Sequence, residues 1–128
     1  MFELGEDEIE GGVGIHGESG RRRTKMMSAK EIVDELLTPI VGDLPFADGD
    51  RVALMINGLG GTPISELYLL YGLAHKRLAE QGISVGRSYV GEYCTSLDMA
   101  GASITLVNLD EEIESLFMDP TEIPIRVF

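Results

Sequence analysis

"RVALMINGLGGTPISELYLLYGLAHKRLAEQGISVGRSYVGEY", residues Arg51 to Tyr93, decides the fold. Its first nine residues include the longest compact apolar run of the chain, Ala53 to Ile56, which suits a buried strand. Thr62 is placed to cap a helix, Pro63 suits its first position, and Gly82 follows its end. Ile64, Leu67, Tyr68, Tyr71, Ala74 and Leu78 supply that helix with an apolar face. "ISVGRSYVGEY" then reads as a second strand. The spacing predicts a strand–helix–strand unit, with the two strands parallel and the crossover right-handed.

Working outward, the stretch from Glu92 to Ala100 is too short for another helical crossover. The strand "ASITLVNL" is therefore expected to run antiparallel to its predecessor. Asp110 to Phe117 reads as a short helix capped by Asp110, and the tail "IPIRVF" as an edge strand in which Pro124 is tolerated. Upstream, Gly49-Asp50 is a turn signal, and Gly42 to Gly49 is the connection that precedes the long unit. Ser28 and Glu31 match a capping box, in which each side chain satisfies the other residue's free backbone donor. Ile32, Val33, Leu36, Leu37, Ile40 and Val41 follow as one helical stripe, with a bend or tightening expected at Pro39. A first strand is expected over Gly12 to His16, with a shorter one near Phe2 to Leu4 and a loop carrying the arginines after it. These elements make one α/β domain over residues 1–128. It has two layers, with a mixed sheet of about six strands and helices mainly on one face.

Composition narrows the function. With 10 basic and 22 acidic residues, the net charge of −12 disfavours nucleic-acid binding and attraction to anionic membranes. No apolar run approaches the roughly 20 residues of a membrane helix, and the acidic start "MFELGEDEIE" does not read as a signal peptide. The single cysteine, Cys94, allows no internal disulfide, which points to a reducing cytoplasm. Two distant histidines and one thiol do not make a zinc site.

Four stretches invite chemistry. "NGLGGTP", Asn57 to Pro63, joins a strand to a helix N-terminus, where free donors favour an anion. It lacks the third glycine of a dinucleotide fingerprint and the lysine of a phosphate loop. It reads first as a tight, closely packed turn, and second as a backbone wall of a small-molecule site. "GEYCTSLDMAG" gathers Cys94, Thr95, Ser96 and Asp98, but no base stands beside the thiol, so a buried small cysteine and a polar turn, with Asp98 or Ser96 bonding local backbone, is the better account. His75 reads as an ordinary helix histidine. Arg21, Arg22, Arg23, Lys25 and Lys30 put half of the basic residues within ten positions, a run that either grips phosphate or forms a solvated loop.

"GGVGIHGESG", residues 11–20, sets His16 among five glycines. The residue is either a turn histidine or an exposed nucleophile, base or ligand. Near neutral pH an imidazole of ordinary pKa is mostly uncharged, and its free lone pair can add to a reactive carbonyl as a hemiaminal. Gly14 and Gly17 leave room for that approach, and Glu18 can orient the ring or a nearby water.

In order, "GVGIHGESGRRR", "SAKEIVDELLTPI", "GDRVALMINGLGGTPISELYLLYG" and "VGEYCTSLDMAGASITLVNLDEE" resemble the C-terminal half of the dihydroxyacetone kinase substrate-binding subunit. The likeness runs from about Phe2 to Phe128. It implies that His16, in the place of the histidine of the family's "GIHGEPG" motif, anchors dihydroxyacetone as a covalent hemiaminal for phosphoryl transfer. Gly14 and Gly17 are the accompanying substrate-site candidates. Ser19 stands where the family motif usually has proline. The resemblance further implies that the family subunit's N-terminal half, which has no counterpart here, supplies the acid/base aspartate, a further histidine and most substrate hydrogen bonds. This chain would then be inactive alone. It also implies ATP or ADP with magnesium on a separate nucleotide-binding L subunit or domain, a phosphotransferase-system protein as phosphoryl donor in many bacterial members, and a homodimer. The second expectation is a noncatalytic carbonyl-ligand sensor or regulatory scaffold of the same fold.

Overall fold

The computed structural model describes residues 3–97 and 99–120. Its elements in chain order are strands β1 (Glu8–Gly11) and β2 (Arg22–Lys25), helix α1 (Ala29–Asp43), strand β3 (Arg51–Gly58), helix α2 (Ile64–Ala79), strands β4 (Ser84–Gly91) and β5 (Ala102–Asn108), and helix α3 (Glu111–Met118). β3 is the central strand of a three-stranded sheet, parallel to β4 and antiparallel to β5. The short β4–β5 connection can only reverse the chain, as its length predicts.

β3 is apolar on both sides because both sides are covered. Val52, Leu54 and Ile56 pack with Val33 and Leu37 of α1 and with Leu67, Leu70, Ala74 and Leu78 of α2. The alternate residues Ala53 and Met55 face the opposite way, toward Tyr89, Leu109, Ile113 and Phe117. Two helices thus cover one face of the sheet and the short α3 lies on the other. All six residues of the expected α1 stripe join the larger cluster as buried or partly buried members. The capping box forms: the Glu31 amide donates to Ser28 Oγ at 3.4 Å and the Ser28 amide donates to Glu31 Oε2 at 2.8 Å. α1 runs through Pro39 to Asp43. Asp110 caps α3 through the Ile113 amide at 2.7 Å.

Several expectations are corrected. Among the described residues there are five strands, three in one sheet and two in a separate ribbon, and not one sheet of about six. The first strand lies at Glu8–Gly11, before the stretch expected, because Gly12 and Gly17 take φ of 75° and 87°, which breaks an extended run. The arginine stretch is not a loop but strand β2, antiparallel to β1 with Glu8 opposite Lys25 and Glu10 opposite Arg23. Opposite charges on facing residues make that pairing favourable. α2 begins at Ile64 with Pro63 as its cap residue, since the Thr62 hydroxyl is taken by Gly101. Ile64 and Tyr68 point outward, and Leu70 takes their place on the buried face. Glu3 and Leu4 are not strand, whereas Phe2 and the tail strand at residues 123–128 lie outside the described residues.

Candidate functional site

The β1–β2 ribbon presents residues 12–21 as its connecting loop. The Arg21 amide closes the base of this loop onto the Gly11 carbonyl at 2.8 Å, and the Gly20 amide donates to Glu10 Oε1 at 2.6 Å. Arg22 holds the ribbon to α1: its Nε donates to Glu35 Oε1 at 2.8 Å, and its Nη2 pairs with Glu35 Oε2. Arg23 faces Glu8 at 3.6 Å. Salt links are thus what Arg22 and Arg23 provide here, and the fork of Arg22 is directed at a carboxylate of this chain.

At the tip, the Gly17 amide approaches the Gly14 carbonyl at 3.4 Å, so residues 14–17 form a tight turn around Ile15 and His16. The His16 side chain is 81% exposed and Ile15 is 80% exposed. Glu18 folds back over this turn. Its Oε2 accepts the His16 backbone N–H at 3.1 Å, and its Oε1 lies 3.3 Å from Nδ1 of the same residue. Gly14 leaves the space for that carboxylate, because a Cβ there would lie 2.1 Å from Glu18 Oε2. Gly17 contributes its φ of 87° and nothing within 4 Å of the site where a Cβ would sit. The candidate residues Gly14, His16 and Gly17 therefore come together with Glu18, the group beside the ring. With Nδ1 turned to Glu18, the far edge of the imidazole faces solvent and can meet a small carbonyl compound.

The other candidates serve the body of the domain. The Leu59 and Gly61 amides donate to the Gly101 and Met99 carbonyls at 3.0 and 2.8 Å, which ties the glycine turn to the segment before β5. A Cβ at Gly60 or Gly61 would lie 3.0 Å from backbone of that segment. The close-packing reading of "NGLGGTP" accounts for these glycines. Asn57 is a residue that the sequence reading passed over. It is 4% exposed, its Oδ1 accepts the Tyr93 and Cys94 amides at 2.8 Å each, and its Nδ2 donates to the Cys94 carbonyl at 3.0 Å. The signal was a lone amide side chain at the end of an apolar strand. Burial, with smaller effects of Tyr68 and Tyr89, raises the pKa of the Tyr93 hydroxyl above the usual tyrosine value. Cys94 is exposed and not buried as expected, because residues 93–97 lie on the surface beyond the end of β4. His75 packs its ring against Tyr71 at 5.9 Å on α2. Among the described residues no three His, Cys, Asp or Glu side chains converge as a metal site. No helix among them is long and apolar enough to cross a membrane.

The family model described as the Dak1 domain matches residues 1–125. The chain belongs to the Dak1 domain family. The dihydroxyacetone-binding subunit DhaK of a PTS-dependent dihydroxyacetone kinase from Listeria innocua serovar 6a is 40% identical over 124 residues, or 97% of this chain and 38% of that protein. An L-erythrulose 1-kinase of Mycolicibacterium smegmatis is 46% identical over 118 residues, covering 88% of this chain and 20% of its own length. Among solved structures, the dihydroxyacetone kinase operon co-activator Dha-DhaQ superposes with a TM-score of 0.83 at 34% identity, over 93% of this chain and 38% of its own. This Dak1 chain thus spans well under half the length of the relatives it matches. In sequence it is similar to a dihydroxyacetone-binding subunit DhaK, and in structure to the operon co-activator Dha-DhaQ.

Proposed function

We propose that this Dak1 domain anchors a small hydroxyketone of the dihydroxyacetone class as a hemiaminal on His16, for phosphoryl transfer at a hydroxyl group. The observation that carries the reading is the exposed imidazole held at the tip of a turn, within a chain 40% identical to a dihydroxyacetone-binding subunit. In the step, a ring-nitrogen lone pair bonds to the carbonyl carbon and the π pair moves onto oxygen. That oxygen takes a proton from water, leaving a four-coordinate carbon, a new hydroxyl group, a cationic ring and a solvent hydroxide. A polyol without a carbonyl cannot make this bond, so the chemistry itself selects ketone over alcohol. The bond also fixes the reacting hydroxyl before transfer, so that less orientational freedom remains to be lost at the transition state.

Phosphoryl transfer then needs groups outside this chain. These are the acid/base residues of the remainder of the family subunit, and a nucleotide with magnesium on an L-type partner. A phosphotransferase-system protein serves as donor in the PTS-linked case, and the K-type subunit pairs as a homodimer. The likeness to the co-activator favours a second reading, in which the same ketone adduct signals and no phosphoryl group moves.

Carbon NMR with carbonyl-labelled dihydroxyacetone tests the anchor, on this chain and on the assembly that adds the remainder of the family subunit. A tetrahedral-carbon signal that disappears in His16→Ala is expected. A signal that persists in that variant removes the assignment. Supplying the L-type partner and donor then separates the readings, since only the kinase reading gives dihydroxyacetone phosphate.

A further inference from the structure

We infer that Asn57 and Gly58, at the end of β3, form a deamidation site that the folded domain keeps closed and that unfolding opens. The inference is independent of the ketone reading, since none of its steps involves His16. An asparagine followed by glycine is well suited to self-cyclisation, because no side chain hinders attack by the following backbone nitrogen. That nitrogen bonds to the Asn57 side-chain carbonyl carbon, and the bond from that carbon to Nδ2 breaks. Nδ2 leaves as ammonia with the proton that the Gly58 nitrogen gives up, and a five-membered succinimide remains. Water then opens the ring at one of its two carbonyl groups, leaving aspartate or isoaspartate at position 57. The whole change takes in one water and releases one ammonia.

The fold uses both residues and at the same time keeps them from reacting. Ring closure requires the backbone to leave the extended form. β3 is held extended by partners on both sides, with Asn57 opposite Gly91 of β4 and Ser103 of β5. The side chain is fixed as well. Oδ1 accepts the Tyr93 and Cys94 amides, while Nδ2 donates to the Cys94 carbonyl at 3.0 Å and to Ser103 Oγ at 3.3 Å. At 4% exposure the amide meets little water. Unfolding removes all of these restraints together, and conversion then prevents the return. In aspartate an oxygen takes the place of Nδ2 and faces the Cys94 carbonyl, acceptor against acceptor, and a charge enters a buried site. Isoaspartate adds a methylene group to the main chain and breaks the register of β3 with both neighbours. The other asparagine, Asn108, is followed by Leu109, whose branched side chain hinders the same attack.

The test incubates the chain in mildly alkaline buffer, with and without urea enough to unfold it. Peptide mass spectrometry reads the change from amide to acid at Asn57 and at Asn108. Asn57 should convert in urea, and about a hundredfold or more slowly in buffer, a ratio set by how rarely a core strand opens. Asn108 should lag behind Asn57 in urea. Gly58→Ala should slow conversion in urea about tenfold or more, since a methyl group then shields the attacking nitrogen. The φ of Gly58 lies outside the positive region, and the added Cβ meets only the Glu92 carboxylate, so this variant keeps the strand. Once urea is removed, unconverted chain should regain slow hydrogen exchange at the Tyr93 and Cys94 amides. In converted chain those amides should exchange about tenfold faster or more, and Asn57→Asp carried through the same cycle should match it. Equal conversion with and without urea, an Asn57 no faster than Asn108 in urea, or converted chain that regains full protection would overturn the inference.

Discussion

Strand β3 and the loop at residues 12–21 are the extremes of this molecule. β3 has Val52, Leu54 and Ile56 with no measurable exposure, whereas the loop leaves Ile15 and His16 about four-fifths in solvent. β3 is held by apolar burial on two faces. The ribbon that carries the loop is held by its antiparallel pairing and by ion pairs, Arg23 with Glu8 and Arg22 with Glu35. Surface pairs of this kind are weak individually, and a domain core is not. The difference shows how the domain divides its work. A tightly packed body sets the position of a loosely attached tip, and the His16 imidazole is kept in solvent.

The largest effect should come from breaking the body. Leu54 is wholly buried between α1, α2 and the sheet, so Leu54→Ala is expected to cost about 2–5 kcal/mol in urea unfolding, with an unchanged dependence on urea. The NMR signals of the His16 ring should be the same in the surviving folded fraction, since its contacts are with Glu18 of the same loop. A change in the His16 signal in that variant would mean that tip and core are one cooperative unit.

A smaller effect should come from releasing the tip. Arg22→Ala removes both contacts to Glu35, across a half-exposed pair, and should change global stability by less than about 1 kcal/mol. Hydrogen exchange should separate the regions: the β1–β2 amides should exchange faster, and the β3 amides at their original rate. Equal acceleration in both would abolish the distinction between a rigid body and a separately latched ribbon.

How much of this was legible in the residues follows the same division. The order from β3 to α3, the parallel and antiparallel pairings and the α1 cap could all be read, because strict patterns report burial and capping through local chemistry. The apolar face of α2 was read two positions wrong, at Ile64 and Tyr68, because an aromatic and a β-branched residue fit an apolar stripe whether or not anything covers them. The ribbon was missed because four-residue strands such as "EIEG" and "RRTK" have no hydrophobic alternation. Their signal was an acidic stretch and a basic stretch at matching distances from a glycine-rich loop. His16 was legible as a candidate. Glu18 was legible as a group that can orient the ring, but the space that Gly14 leaves for its carboxylate was not, since it depends on a turn that brings the two into contact.

The smallest effect lies at the seam between the two regions, where Ser28 starts α1 three positions after β2 ends. Hydrogen bonds from the Ser28 hydroxyl and backbone N–H hold the Glu31 carboxyl below the usual glutamate pKa. A carboxylate whose folded pKa is depressed adds stability that is fully present above its unfolded pKa, about 4.3, and is lost as pH falls through the lower folded value. Acidification from pH 6 to pH 3 should therefore loosen the first turn of α1. Asp34, held low by Lys30 one turn earlier, titrates in the same direction. Glu31→Gln should remove the first contribution and leave the second, and Asp34→Asn should do the reverse. Exchange rates of the Glu31 and Ile32 amides across that range provide the measurement. If those rates keep their pH dependence in Glu31→Gln after correction for intrinsic exchange, the capping box is not what secures the ribbon's junction with the body.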